Sequence, residues 1–171
     1  SEHAACSVGL RDGKVVPLLP QLETARRATQ IYVGKPGDQR EVVIGLDFGT
    51  SCVKVVIGDS ALGKAFAVPF CKAEGIARFL LPSRLYQAGG VFSLETGTHT
   101  YRDLKLSLLA SPEDPVLQQR AVAFLALNIR RVRGWLLSEH AATYKRTAIA
   151  WKLAVGIPTA QHHQSPLSEL F

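Results

Sequence analysis

The stretch from Glu41 to Phe70 constrains the fold more than any other part of the chain. Glu41 to Asp47 (EVVIGLD) and Ser51 to Ile57 (SCVKVVI) are short runs rich in β-branched residues, which favour a pleated, half-buried surface. In the second run Val53, Val55 and Ile57 fall on one face, and Cys52, Lys54 and Val56 on the other, because strand side chains alternate. Only Phe48-Gly49-Thr50 forms the turn between them, too short for a crossover helix. Gly58 to Gly63 (GDSALG) gives a second turn, and Lys64 to Phe70 (KAFAVPF) a third strand. Strands joined by such short turns pair as an antiparallel meander.

Further along, Ala77 to Leu94 predicts another hairpin, turning at Ala88-Gly89-Gly90. Tyr101 to Leu109 predicts a short helix ended by Ser111-Pro112. Val116 to about Tyr144 predicts one long helix, opened by acids and a proline that suit the helix dipole. Leu117, Ala121, Phe124, Leu125, Val132 and Leu136 recur at helical spacing and predict its buried stripe. Ala148 to Ile157 predicts a last strand beside the meander, stopped by Pro158. Strands, a helix and a further strand give the class α/β, or α+β with a mixed sheet. Ser1 to Asp38 reads as an N-terminal extension of the domain at 39–171, with a hairpin around Arg11-Asp12-Gly13-Lys14 and a short helix near Gln21 to Thr29.

At 171 residues, with 47% hydrophobic and 20% charged, the chain is long and apolar enough to fold as one domain or one lobe. No apolar run reaches membrane-span length, and Ser1 to Pro20 has no secretory signature. Cys6, Cys52 and Cys71 have no metal spacing and read as reduced thiols. The expectation is a soluble cytoplasmic unit. A net charge of +6 favours an anionic partner, whether nucleotide, nucleic acid or acidic protein, without choosing among them. The absence of Met and the close on Ser168-Glu169-Leu170-Phe171, a helix just begun, read as an incomplete chain.

The first turn also carries chemistry. Asp47 ends one strand, and Gly49 lets the backbone approach another group closely. The amides of Gly49, Thr50 and Ser51 then point into one space, as an anion-binding nest does, and Thr50 and Ser51 add hydroxyls. Lys54 adds a positive charge if its face looks the same way. Asp47 repels phosphate, but it holds Mg²⁺ through water, and Mg²⁺ holds phosphates. The competing reading is an ordinary hairpin whose Asp and Thr satisfy the turn.

Gly45-Leu46-Asp47-Phe48-Gly49-Thr50-Ser51, continuing into Val53-Lys54-Val55-Val56-Ile57, resembles the first phosphate motif of the actin, heat-shock chaperone and sugar kinase superfamily. In order along the chain, Leu81-Pro82-Ser83-Arg84-Leu85-Tyr86 resembles the proline-serine strand of chaperone-like and bacterial actin-like members. Asp103 to Leu109 resembles their lysine-bearing helix, and Val155-Gly156-Ile157-Pro158-Thr159 a later strand of the seventy-kilodalton chaperones. The resemblance implies a ribonuclease-H-like lobe that binds the phosphates of ATP with Mg²⁺. It makes Asp47 the catalytic organiser of metal and water, and Gly49, Thr50 and Ser51 the phosphate clamp. Lys105 is the candidate for the chaperones' catalytic lysine, which has no aligned counterpart here. The implied parent is an ATPase whose nucleotide state drives closure onto a second lobe, with a protein client or self-assembly as partners. A sugar-kinase-type phosphotransferase or a non-hydrolysing filament module are the alternatives. The later phosphate and adenosine motifs are not in this sequence, so the chain alone is expected to hold half a site and to be inactive.

Three features read as decoys. Gly58 to Ala65 nearly matches a P-loop, but Ala65 stands where the Mg²⁺-binding hydroxyl belongs and a strand pattern follows, so it reads as a hairpin turn. His162-His163 reads as an exposed loop, because adjacent side chains point apart. Arg130, Arg131 and Arg133 fan around the long helix and make no single stripe for nucleic acid. They read as a solvated face or as salt bridges to another lobe, and not as a surface for nucleic acid.

Overall fold

In the computed structural model the described residues are 8–11, 14–17 and 39–156. The expected helix at Gln21 to Thr29, Pro158 and the His162-His163 pair lie outside them. The elements in chain order are β1 (Val8–Arg11), β2 (Lys14–Pro17), β3 (Arg40–Phe48), β4 (Cys52–Asp59) and β5 (Lys64–Ala67). A 3₁₀ turn (Gly75–Phe79), β6 (Leu81–Pro82), β7 (Leu85–Ala88), β8 (Val91–Ser93) and β9 (His99–Tyr101) follow. Then come α1 (Leu104–Ala110), α2 (Pro115–Glu139), α3 (Ala141–Tyr144) and β10 (Ile149–Gly156). This is a mixed α/β chain with antiparallel and mixed sheets and one long helix. No helix among the described residues is long and apolar enough to cross a membrane.

The chain divides into two compact units. Of the described residues, one unit holds 39–83 and 129–156, and the other holds 8–11, 14–17 and 84–128. In the first, β10, β3, β4 and β5 form a sheet in that order, and β6 also pairs with β4. The expected meander is present: β3 runs antiparallel to β4, with Ile44 opposite Ile57, and β4 antiparallel to β5. β10 returns parallel to β3, with Val155 beside Leu46. Val42, Ile44, Leu46 and Phe48 of β3, with Val53, Val55 and Ile57 of β4, are buried on one face. Each such side chain contributes about 1.5–3 kcal/mol on leaving water.

Asp59 closes that buried face. Its Oδ2 accepts the Tyr144 hydroxyl at 2.7 Å, its Oδ1 accepts the Leu62 amide at 3.1 Å, and Arg40 lies 3.6 Å away. The Asp59 to Leu62 bond shapes the turn into β5, and Gly63 completes it at φ +60°. The turn thus leads into a strand, with no P-loop helix.

Several elements differ from expectation. The third strand stops at Ala67; Val68 adds one bond to Val55, and Pro69 has no amide to continue. The expected hairpin from Ala77 is three pieces: a 3₁₀ turn, a strand on β4, and only then the hairpin β7–β8. That hairpin turns at Gly89 and Gly90, both at positive φ, as a two-residue loop of this hand requires. Tyr101 does not start a helix: β9 pairs with β7, the Tyr101 hydroxyl donates to Gln87 Oε1 at 2.7 Å, and Arg120 lies 3.8 Å over its ring. Helix α1 begins only at Leu104.

Helix α2 opens where the sequence places it. Asp114 Oδ1 accepts the Val116 amide at 2.8 Å and the Leu117 amide at 3.3 Å. Its burial is wider than one stripe: Ala121, Ala123, Phe124, Leu125, Leu127 and Asn128 are all buried. The helix ends at Glu139, short of Tyr144, because His140 leaves helical geometry. The His140 ring packs on Phe66 and Trp135, and α3 then carries Tyr144 to Asp59. Two of the arginines expected on a solvated face have packing roles. Arg131 donates to the Phe70 carbonyl at 2.8 Å, and Arg133 lies 5.0 Å over Trp151, where burial lowers its pKa.

Candidate functional site

Asp47, Gly49, Thr50, Ser51 and Lys54 are brought together at one end of the sheet by the β3–β4 pairing. Asp47 is one residue from the end of β3, on the face opposite the core, and is exposed. Phe48 turns back into the core, so the chain leaves the sheet with Asp47 outside and Phe48 inside. Lys54 stands directly across the ladder from Asp47, and its Nζ lies 3.2 Å from Asp47 Oδ2. Their side chains are 55% and 57% exposed, so the pair is solvated. Lys54 therefore looks the same way as Asp47.

Gly49 serves the turn by close approach. A Cβ there would sit 2.4 Å from the Cys52 carbonyl oxygen, so no side chain fits. Its amide is already spent: it donates to the Asp47 carbonyl at 3.1 Å. The expected nest of three amides is therefore a pair. The Thr50 and Ser51 amides have no partner among the described residues, and both residues are exposed.

Two neighbours had not been assigned to this site from the sequence. Gly156, at the end of β10, lies beside Asp47, and a Cβ there would come within 4.0 Å of Asp47 Oδ1. The loop thus follows the carboxyl end of one parallel strand and lies beside that of its neighbour, where open α/β sheets place ligands. Ser83 is buried behind the loop, its Oγ donating to the Gly49 carbonyl at 2.9 Å and its amide to the Ser51 carbonyl at 2.9 Å. The signal for Ser83 was the Pro82-Ser83 pair; the local pattern around Gly156 gave none for its register against Asp47. Lys105 stands in the first turn of α1, in the unit that does not hold the loop.

The donor set bears on which ions fit. Among the described residues no three His, Cys, Asp or Glu side chains gather into a metal cage. A lone exposed carboxylate beside two hydroxyls and two unspent amides suits Mg²⁺ that keeps most of its water and arrives with phosphate. Comparison with protein-family models, with curated proteins and with solved structures finds no match to this chain.

Proposed function

We propose that this loop is the phosphate-binding half of an ATP site, in a ribonuclease-H-like lobe of an ATPase related to the actin, chaperone and sugar kinase superfamily. The observation that carries the reading is the juxtaposition of Asp47 and Lys54 with the unspent Thr50 and Ser51 amides at the carboxyl ends of β3 and β10. The two amides and two hydroxyls donate to phosphate oxygens, and Lys54 supplies a screened positive charge. Asp47 holds Mg²⁺ through water, and the ion, when bound, neutralises phosphate charge that Asp47 alone would repel. Sites for phosphoryl transfer act chiefly by positioning and electrostatic stabilisation, which is the chemistry these residues offer.

Amide spectra of the chain, recorded during titration with ATP in the presence and absence of Mg²⁺, test the reading. Binding is expected in the millimolar range, because each solvent-exposed hydrogen bond nets only about 1 kcal/mol. Shifts should centre on Thr50 and Ser51 and should require Mg²⁺. Asp47→Asn should remove the Mg²⁺ requirement and change stability by less than about 0.5 kcal/mol, as for most surface substitutions. Shifts located elsewhere, or an undiminished Mg²⁺ requirement in Asp47→Asn, would refute it.

A further inference from the structure

We propose that Ser83 is a positioning residue that aims the phosphate-binding amide of Thr50; the proposal rests on the nucleotide reading of the loop. Ser83 follows β6, whose residues Leu81 and Pro82 pair with Val53 and Cys52. That pairing sets Ser83 directly behind the turn. The residue is only 3% exposed, so its side chain does not itself meet a ligand from solvent.

The geometry gives Ser83 control of two peptide planes. Its Oγ donates to the Gly49 carbonyl and its backbone amide to the Ser51 carbonyl, both at 2.9 Å. In a trans peptide the carbonyl and the following amide point in opposite directions. With the Gly49 carbonyl drawn inward to Ser83, the Thr50 amide is turned outward, away from β6. The Gly49 amide, closed onto the Asp47 carbonyl, fixes the plane before it. Thr50 is thus held from behind by a buried hydroxyl, and its amide stays free on the outer side.

No other described side chain bonds to the backbone of 49–51. Without the Ser83 hydroxyl the Gly49–Thr50 plane keeps only its fixed neighbours on either side, and the direction of the Thr50 amide is less restrained. A Ser83 that served only the core would affect unfolding without affecting ligand affinity once the protein is folded.

The test compares Ser83→Ala and Ser83→Thr in the full chain, with Mg²⁺–ATP as probe. Ser83→Ala should weaken Mg²⁺–ATP binding about tenfold, near the value of one lost hydrogen bond, and should shift the Thr50 amide resonance of the ligand-free chain. Ser83→Thr, which keeps the hydroxyl, should restore the affinity to within about twofold and return the resonance to its wild-type position. If Ser83→Ala does not fold, Ser83→Cys keeps the volume with a weaker donor, and its affinity should fall below that of Ser83→Thr. Wild-type affinity in a folded Ser83→Ala or Ser83→Cys, or no rescue by Ser83→Thr, overturns the proposal. If the wild-type chain shows no Mg²⁺-dependent shift at Thr50 and Ser51, the nucleotide reading fails and this proposal with it. If that shift is present but insensitive to Ser83, only the positioning role fails.

Discussion

Asp47 and Lys54 are opposite partners in the β3–β4 ladder, and their charged atoms lie 3.2 Å apart on the open face of the sheet. Both side chains are more than half exposed, so their attraction is weak and screened by salt. The pair therefore contributes little to the fold, and on the proposed nucleotide reading its role is toward the ligand. Lys54→Gln should change unfolding free energy by no more than about 1 kcal/mol, the range for exposed pairs. It should weaken Mg²⁺–ATP binding by about fivefold at low salt, as loss of one solvated charge contact implies. The salt dependence of binding should flatten with it. Calorimetric titration at two ionic strengths, beside urea unfolding, checks the split; a large stability loss with unchanged affinity would contradict it.

Gly49 has the opposite profile. A Cβ there would sit 2.4 Å from the Cys52 carbonyl oxygen, and this neighbour is backbone, not the end of a flexible side chain. Gly49→Ala should cost about 1–3 kcal/mol, the usual range for forcing atoms into a packed position. Amide shifts of Thr50 and Ser51 should move even without ligand, since the turn must open. A variant with wild-type stability and an unmoved turn would show that the approach is not tight in solution.

Tyr144 links alkaline stability to the closed end of the sheet. Burial, the hydrogen bond to Asp59 and the charge of Asp59 raise its pKa from 10.0 to about 12, with Arg40 opposing. A folded-state pKa above the unfolded one means stability fully present below pH 10 and lost as pH rises towards 12. The loss should be on the order of 2 kcal/mol. Tyr144→Phe should cost about 1–3 kcal/mol at neutral pH, since Asp59 loses a donor. It should also remove this part of the alkaline decline. Urea midpoints at pH 8, 10 and 11.5 for both proteins decide it; parallel declines would rule out Tyr144 as the source.

The meander and the first turn were legible because their information is local. Period-two alternation marks Val53, Val55 and Ile57, and Gly49 between two apolar runs leaves a tight turn as the ready solution. The hairpin at Gly89-Gly90 and the start of α2 after Asp114 carry their own turn and cap chemistry, and both stand where the pattern puts them. The residue types at Asp47, Thr50, Ser51 and Lys54 named a candidate site before any contact was known.

The tertiary structure decided what depends on partners distant in sequence. Tyr101 is a strand residue because it pairs with β7, where Gln87 accepts its hydroxyl and Arg120 lies over its ring, although its own neighbours read as helix. The long helix breaks at His140 because Phe66 and Trp135 hold that ring and Asp59 draws in Tyr144. Arg131 and Arg133 became packing residues once Phe70 and Trp151 lay beneath them. At the loop, sequence alone left three amides equivalent. The fold spent the Gly49 amide on Asp47, brought Gly156 alongside, and set Ser83 behind the turn. A local pattern fixes which face a side chain takes; only pairing across the sheet fixes what that face meets.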